Sequence, residues 1–142
     1  MSWCPKNLVI VPVDFSPESI DAIDVGLELV DRPAHLHVIH VVIDVTPLEA
    51  GEVWGVIDPQ TRIAQMEKVL EERLAGPRYA GVQTTVVFGE PAHSIANFAQ
   101  EKGAELIVIP SHGRTGLTRL LIGSVAERVV RLAHCPVLVL RK

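Results

Sequence analysis

An open α/β sheet of five parallel strands, ordered 3-2-1-4-5 with helices on both faces, is the fold this sequence predicts. Three observations carry it. Apolar, β-rich runs alternate with helix-spaced apolar residues along the chain, as parallel strands joined by right-handed crossovers require. The first and fourth runs are the most continuously apolar, as strands buried on both faces are. The third holds Gln83, Thr84 and Thr85, polar enough for an edge. The 142 residues suit a single domain, 1–142, with a self-sufficient core and no linker, repeat or low-complexity stretch.

The elements follow in order. Leu8–Val13 is apolar almost throughout and reads as the first strand. Ser16 offers an N-cap and Pro17 a first helical residue, and Ile20, Ile23, Leu27 and Val30 mark a helix face ended by Pro33. Leu36–Ile43 is the second strand, and Thr46–Pro59, with two Gly and two Pro, a long loop. Ile63, Met66, Leu70 and Leu74 space the next helix, which Gly76-Pro77 stops. Val82–Phe88 is the third strand. Gly89-Glu90-Pro91 turns the chain into a helix carrying Ala92, Ile95, Ala96 and Ala99, with Gly103 placed as its C-cap. Leu106–Ile109, Ser124–Ala133 and Val137–Leu140 complete the set as strand, helix and strand.

In this order the topological switch falls between strands 1 and 4, and a ligand binds beyond their carboxyl ends. The residues there are Asp14-Phe15-Ser16 and Ser111-His112-Gly113. The fifth strand is apolar yet lies at the edge, so it needs a cover. An antiparallel contact with a second copy supplies one, and a homodimer through Val137–Leu140 is expected.

Composition removes several functions. The apolar runs are strand-sized and none approaches a spanning helix, so membrane insertion is not expected. Met-Ser-Trp-Cys-Pro-Lys-Asn lacks the layout of a signal peptide. Cys4 and Cys135 form no disulfide framework or metal spacing and read as buried free thiols of a cytoplasmic protein. A net charge of −4 argues against nucleic acid as a partner. That average hides a split. Residues 111–142 hold six Lys/Arg against one acid, a net +5, while residues 1–110 hold seven against sixteen, a net −9. The basic segment suits an anion, or else is a solvated helix face.

Within it runs Ser111-His-Gly-Arg-Thr-Gly-Leu-Thr-Arg-Leu-Leu-Ile-Gly-Ser-Val125. Gly113 and Gly116 let the backbone bend, and Gly123-Ser124 opens a helix whose free amides and dipole favour phosphate. Arg114 and Arg119 add charge. No Gly-Lys-Ser/Thr ends the loop, so it is not a Walker P-loop. A purely structural reading also exists: Ser124 and Glu127 have capping-box spacing, and the glycines serve as turn residues.

The loop, followed by Ala126-Glu-Arg-Val-Val-Arg-Leu-Ala-His-Cys-Pro-Val-Leu-Val139, resembles the C-terminal signature of the universal stress protein family. Val11-Pro-Val-Asp-Phe-Ser16, Gly89-Glu-Pro91 and Gly103-Ala-Glu-Leu-Ile-Val108 resemble other parts of it, so the likeness spans the chain. The resemblance implies a Rossmann-like sheet of the adenine nucleotide alpha hydrolase type, a cytoplasmic location and dimers through the last strand. Its ATP-binding branch carries Gly-x-x-Gly, nine residues, then Gly-Ser/Thr. Gly113, nine residues and Gly123-Ser124 match, but Pro110 replaces the first glycine and removes one amide donor. The remaining amides, with Ser111, His112, Arg114, Gly116, Ser124 and Val125, are implied to hold the phosphates of ATP or AMP, with or without Mg2+. Asp14 would face the ribose, Val41 would offer backbone to adenine, and Pro12 and Val13 would line the same end. Alternatively Asp14 helps start the first helix and Val41 is strand core.

Other constellations are weaker. His35 and His37 share a strand face and His40 takes the other, so the three do not converge on a metal. His112 beside Asp14 lacks any nucleophile motif and suits loop orientation or a phosphate contact. Trp54 is a candidate lid or partner contact, or a ring folded onto the body. The leading expectation is an adenine-nucleotide-binding stress or signalling module whose ligand changes its shape or its unidentified protein partner. A nucleotide-free dimeric adaptor is the alternative that Pro110 favours. Slow ATP hydrolysis or autophosphorylation, with Ser124 as first candidate, is a third.

Overall fold

A computed structural model describes residues 3–43, 58–112 and 122–141. Its strands are β1 (Val9–Pro12), β2 (Leu36–Ile43), β3 (Gln83–Gly89), β4 (Leu106–Pro110) and β5 (Val137–Leu140). Its helices are α1 (Pro17–Glu28), α2 (Pro59–Arg73), α3 (Pro91–Lys102) and α4 (Ser124–Leu132). The strands form one parallel sheet in the order β3-β2-β1-β4-β5, as expected. Strand β3 starts one residue later than Val82 and runs through Gly89. The long loop from Thr46 and its Trp54 lie outside the described residues up to Asp58.

Handedness decides the layers. From β1 to β3 the chain steps toward one edge, and from β3 through β4 to β5 it steps back across the sheet. Right-handed crossovers therefore put α1 and α2 on one face and α3 and α4 on the other. Two cores result. Under α1 and α2, Val9, Val11, Ile23, Leu36, Val38, Leu70 and Val108 are buried together. Under α3 and α4, Ile10, Ile39, Ile95, Phe98, Ile107, Ala126 and Val129 form the second. Odd and even strand residues divide between these cores, as a period of two requires.

Local chemistry sets the helix starts. Ser16, Asp58 and Glu90 each accept a hydrogen bond from a first-turn amide, and each is followed by proline at the first helical position. Gly103 ends α3 in the left-handed conformation, φ 71°. Helix α4 differs. Gly123 occupies its N-cap position and supplies no side chain, so Ser124 is the first helical residue. The capping box that Ser124 and Glu127 could have made is not formed, and Glu127 pairs instead with Arg131 (2.8 Å). Gly26, in the third turn of α1, lies flat against the sheet: a Cβ there would stand 2.8 Å from Leu36 Cδ1 and 2.9 Å from Val11 Cγ2.

Candidate functional site

The carboxyl ends of β1 and β4 lie side by side at the switch of strand order, and the site is built around them. At the end of β1, Val13 is buried, its amide donating to Ile39 O (2.8 Å) and its carbonyl accepting from His40 Nδ1 (2.8 Å). The His40 ring stacks on Phe15 at 4.8 Å between centroids. Phe15 has φ 66°, a left-handed conformation that costs a non-glycine residue on the order of 1 kcal/mol or more. That kink turns the chain from β1 into α1. It places the Asp14 carboxylate on Ser16 N (3.0 Å) and the Asp14 amide on Ser19 Oγ (3.3 Å). Asp14 thus does help start α1, as its structural reading held. Val41 is partly buried and packs with the α3–α4 core, two residues along β2 from Ile39, the partner of Pro12.

At the end of β4, Ser111 is buried and donates its amide to Leu140 O on β5 (2.8 Å). Its carbonyl accepts from the Gly123 amide, which ties the end of β4 to the start of α4. Its hydroxyl pairs with His112 Nδ1 (3.2 Å). His112 Nε2 is buried and has no hydrogen-bond partner among the described residues. A buried polar nitrogen left so costs roughly 1–3 kcal/mol unless something else completes it. Gly123 sits directly over this pair: a Cβ on it would lie 2.8 Å from Ser111 O and 3.8 Å from His112 Cδ2. Only glycine lets the backbone come this close.

Pro12, Val13 and Asp14 thus lie at the carboxyl end of β1, and Ser111 and His112 at that of its neighbour β4. Gly123 touches Ser111 and His112, and Ser124 and Val125 are exposed at the adjoining start of α4. Gly113, Arg114 and Gly116 lie outside the described residues. Pro110 is the last residue of β4, in register with Leu140. Phe15 is the one non-glycine residue with positive φ among those described, so the backbone at Pro110 asks for no glycine-like conformation.

One group of residues escaped the sequence reading. Glu90 caps α3 by accepting from His93 N and His93 Nδ1 (both 2.8 Å), and its other oxygen takes Arg128 of α4. Burial alone would raise the Glu90 carboxyl. The His93 and Ala92 amides, the His93 ring and the Arg128 charge outweigh it and leave the group below its ordinary range. The one available signal was Glu90-Pro91 preceding a helix; that Arg128 meets it is a tertiary fact.

Comparison with known proteins gives the same assignment. Residues 7–141 match the model of the universal stress protein family. The chain belongs to that family. Universal stress protein MJ0531 of Methanocaldococcus jannaschii is 37% identical over 139 residues, 94% of this chain and 81% of the relative. Universal stress protein YxiE of Bacillus subtilis is 34% identical over 146 residues, covering 95% and 99%. Among solved structures, universal stress protein UspA of Lactobacillus plantarum superposes with a TM-score of 0.75 at 25% identity, over 95% of this chain and 97% of that one. A universal stress protein solved in complex with cAMP shares the fold at a TM-score of 0.65 and 21% identity, covering 96% and 97%. The universal stress protein fold, a Rossmann-like α/β sheet, is thus the setting of the site. Among the described residues no helix is long and apolar enough to cross a membrane.

Proposed function

We propose that this universal stress protein binds an adenine nucleotide, ATP or AMP, in the crevice between β1 and β4, and that the ligand alters its shape or its contacts with a protein partner. The observation that carries this reading is the pairing of an uncapped helix start with an orphaned nitrogen. Among the four described α-helices, α4 alone begins without a capping side chain, leaving the amides of its first turn for an anion. His112 Nε2, buried and unpartnered, lies beside the Gly123 cradle that a side chain would fill. The phosphates would take the Ser124 and Val125 amides over the side-chain-free Gly123, with Ser111, His112, Gly113, Arg114 and Gly116. Asp14 would face the ribose, Val41 would offer backbone to the base, and Pro12 and Val13 would line the same end. That a protein of the same fold holds cAMP supports an adenine nucleotide as the class. No group of three metal-ligating side chains occurs among the described residues, so Mg2+ would arrive with the phosphates rather than in a cage of its own.

The test is direct. Purified protein is heat-denatured and the supernatant assayed for nucleotide, and thermal shifts are measured with Mg-ATP, AMP and cyclic AMP. Released adenine nucleotide or a shift of several degrees is expected. Neither, with all three ligands, overturns the reading in favour of a nucleotide-free dimeric adaptor, for which Pro110 and its missing amide are the favouring observation. Gly123→Val is a poor probe because its Cβ would strike the Ser111 carbonyl and move the backbone. Slow ATP hydrolysis or autophosphorylation at the exposed Ser124 would be read by radiolabel transfer lost in Ser124→Ala. A chain whose two cysteines form no disulfide suits a reducing cytoplasm. Cys4 and Cys135, expected to be buried, are only partly so, and burial pushes the Cys135 thiol up, away from reactivity.

A further inference from the structure

Strands β1 and β4 are the two central neighbours of the sheet, yet they pair only at Val9 with Leu106 and Ile10 with Ile107. The cause can be traced rung by rung. In a parallel ladder, successive residues address alternate neighbours. Val13 donates to Ile39 on β2, so residue 12 faces β4. Ser111 donates to Leu140 on β5, so residue 110 faces β1. Continuing the register, the next two rungs would run from the nitrogen of residue 12 to Val108 O and from the nitrogen of residue 110 to Pro12 O. Both donors are proline, and neither nitrogen carries a hydrogen. The ladder therefore ends where the crevice begins. Val108 and Pro12 are buried, and the ladder sets no strand donor opposite their carbonyls.

We propose that Pro12 and Pro110 act together as a wedge that stops β1 and β4 from zipping, and that the carbonyls of Val108 and Pro12 accept hydrogen bonds from hydroxyls of the bound ligand. The second half rests on the nucleotide reading; the first does not. The crevice is then polarised. Its floor accepts and cannot donate, while the start of α4 donates and cannot accept. A matching ligand carries donors at one end and anionic oxygens at the other. A nucleotide with free ribose hydroxyls does, and inorganic phosphate or pyrophosphate satisfies only one end. The proline that departs from the glycine of the ATP-binding branch becomes a determinant of which ligand fits.

The double variant Pro12→Ala/Pro110→Ala restores both donors on backbone that is already extended. Pro110→Ala alone serves if the double variant does not fold. In ligand-free protein, hydrogen exchange followed by NMR should show the introduced amides protected like those of the neighbouring central strands. Exchange at the rate of an exposed amide overturns the wedge. The second arm compares ATP with 2′,3′-dideoxy-ATP by calorimetry. Wild type should bind the dideoxy compound about tenfold more weakly, and the variant should lose both affinity for ATP and this discrimination. Equal affinities in wild type overturn the hydroxyl contact. If wild type binds neither compound, the nucleotide reading and the hydroxyl contact fall together, and the exchange result alone sustains or removes the wedge.

Discussion

At the scale of single residues, two histidines separate the site from the scaffold. His112 offers Nδ1 to Ser111 and leaves Nε2 buried without a partner. Asparagine reproduces the Nδ1 position and omits Nε2, so His112→Asn should keep the Ser111 contact. Its folding midpoint in urea should match wild type, while nucleotide affinity should drop about three- to tenfold. An unchanged affinity measured by calorimetry would remove His112 from the site. His37 has no such vacancy to fill. It is 7% exposed, bonded through Nε2 to Thr85 Oγ1 (2.7 Å) and edge-on to Phe98 at 4.8 Å. Burial, then the Lys102 charge, pushes it below its ordinary value of 6.5. The unfolded chain therefore takes up a proton that the folded one refuses. Stability should be complete above pH 6.5 and decline as pH falls from there toward the lowered folded value. Thermal melts between pH 7.5 and 5 should show this slope in wild type and a flatter one in His37→Gln; equal slopes would exonerate His37. Its burial against Phe98 was not legible in the sequence, because the contact joins residues 61 positions apart. His35, read as sharing its strand face, instead ends a 3-10 turn before β2.

At the scale of elements, starts were read well wherever a local rule governs them, but α1 stops at Glu28, short of the expected Val30 and Pro33, because Val30 bridges to Lys6 instead. Ser16-Pro17 and Gly103 do what their residue types demand. The start of α4 at Ser124 was legible, but the Ser124–Glu127 capping box offered as a structural alternative is not formed. The deciding fact is instead the Gly123 amide on Ser111 O, a contact across the loop. Glu90 illustrates the same limit, since one carboxylate both caps α3 and holds α4 through Arg128. These roles can be separated. Glu90→Ala should destabilise the protein by about 1 kcal/mol through the cap, whereas Arg128→Gln, cutting only an exposed ion pair, should cost less than that. Urea titrations of both variants check the order, and a larger loss in Arg128→Gln would make the tie between helices the dominant role. Because the Glu90 carboxyl is held below its ordinary range, its contribution persists at neutral pH and disappears only as pH falls through that lowered value.

At the scale of the whole molecule, strand order was legible because each strand's composition reports its neighbours. The continuous apolar runs lie centrally, and β3, with Gln83 and Thr84 exposed, forms one edge. At the other edge all four residues of β5 are only partly buried, and Val125 and Val130 of the adjoining α4 are 40% and 47% exposed. A second copy pairing along Val137–Leu140 would cover this edge. Light scattering at micromolar concentration should therefore report twice the 15.5 kDa chain mass; a monomer would refute it. What composition could not convey was the crevice, which depends on two prolines 98 residues apart facing each other. That separation has a consequence for the timing of synthesis. A nascent chain that has emerged as far as Gly89 already holds β1, β2 and β3, and with them Pro12, Asp14 and Val41. It possesses no β4, no Ser111 and no α4. The central flank of β1 stays bare until the chain has passed back across the sheet, so ligand competence arises late and all at once. A ribosome stalled before residue 106 would display an apolar strand edge for chaperones to meet, and no site for a small molecule to rescue it.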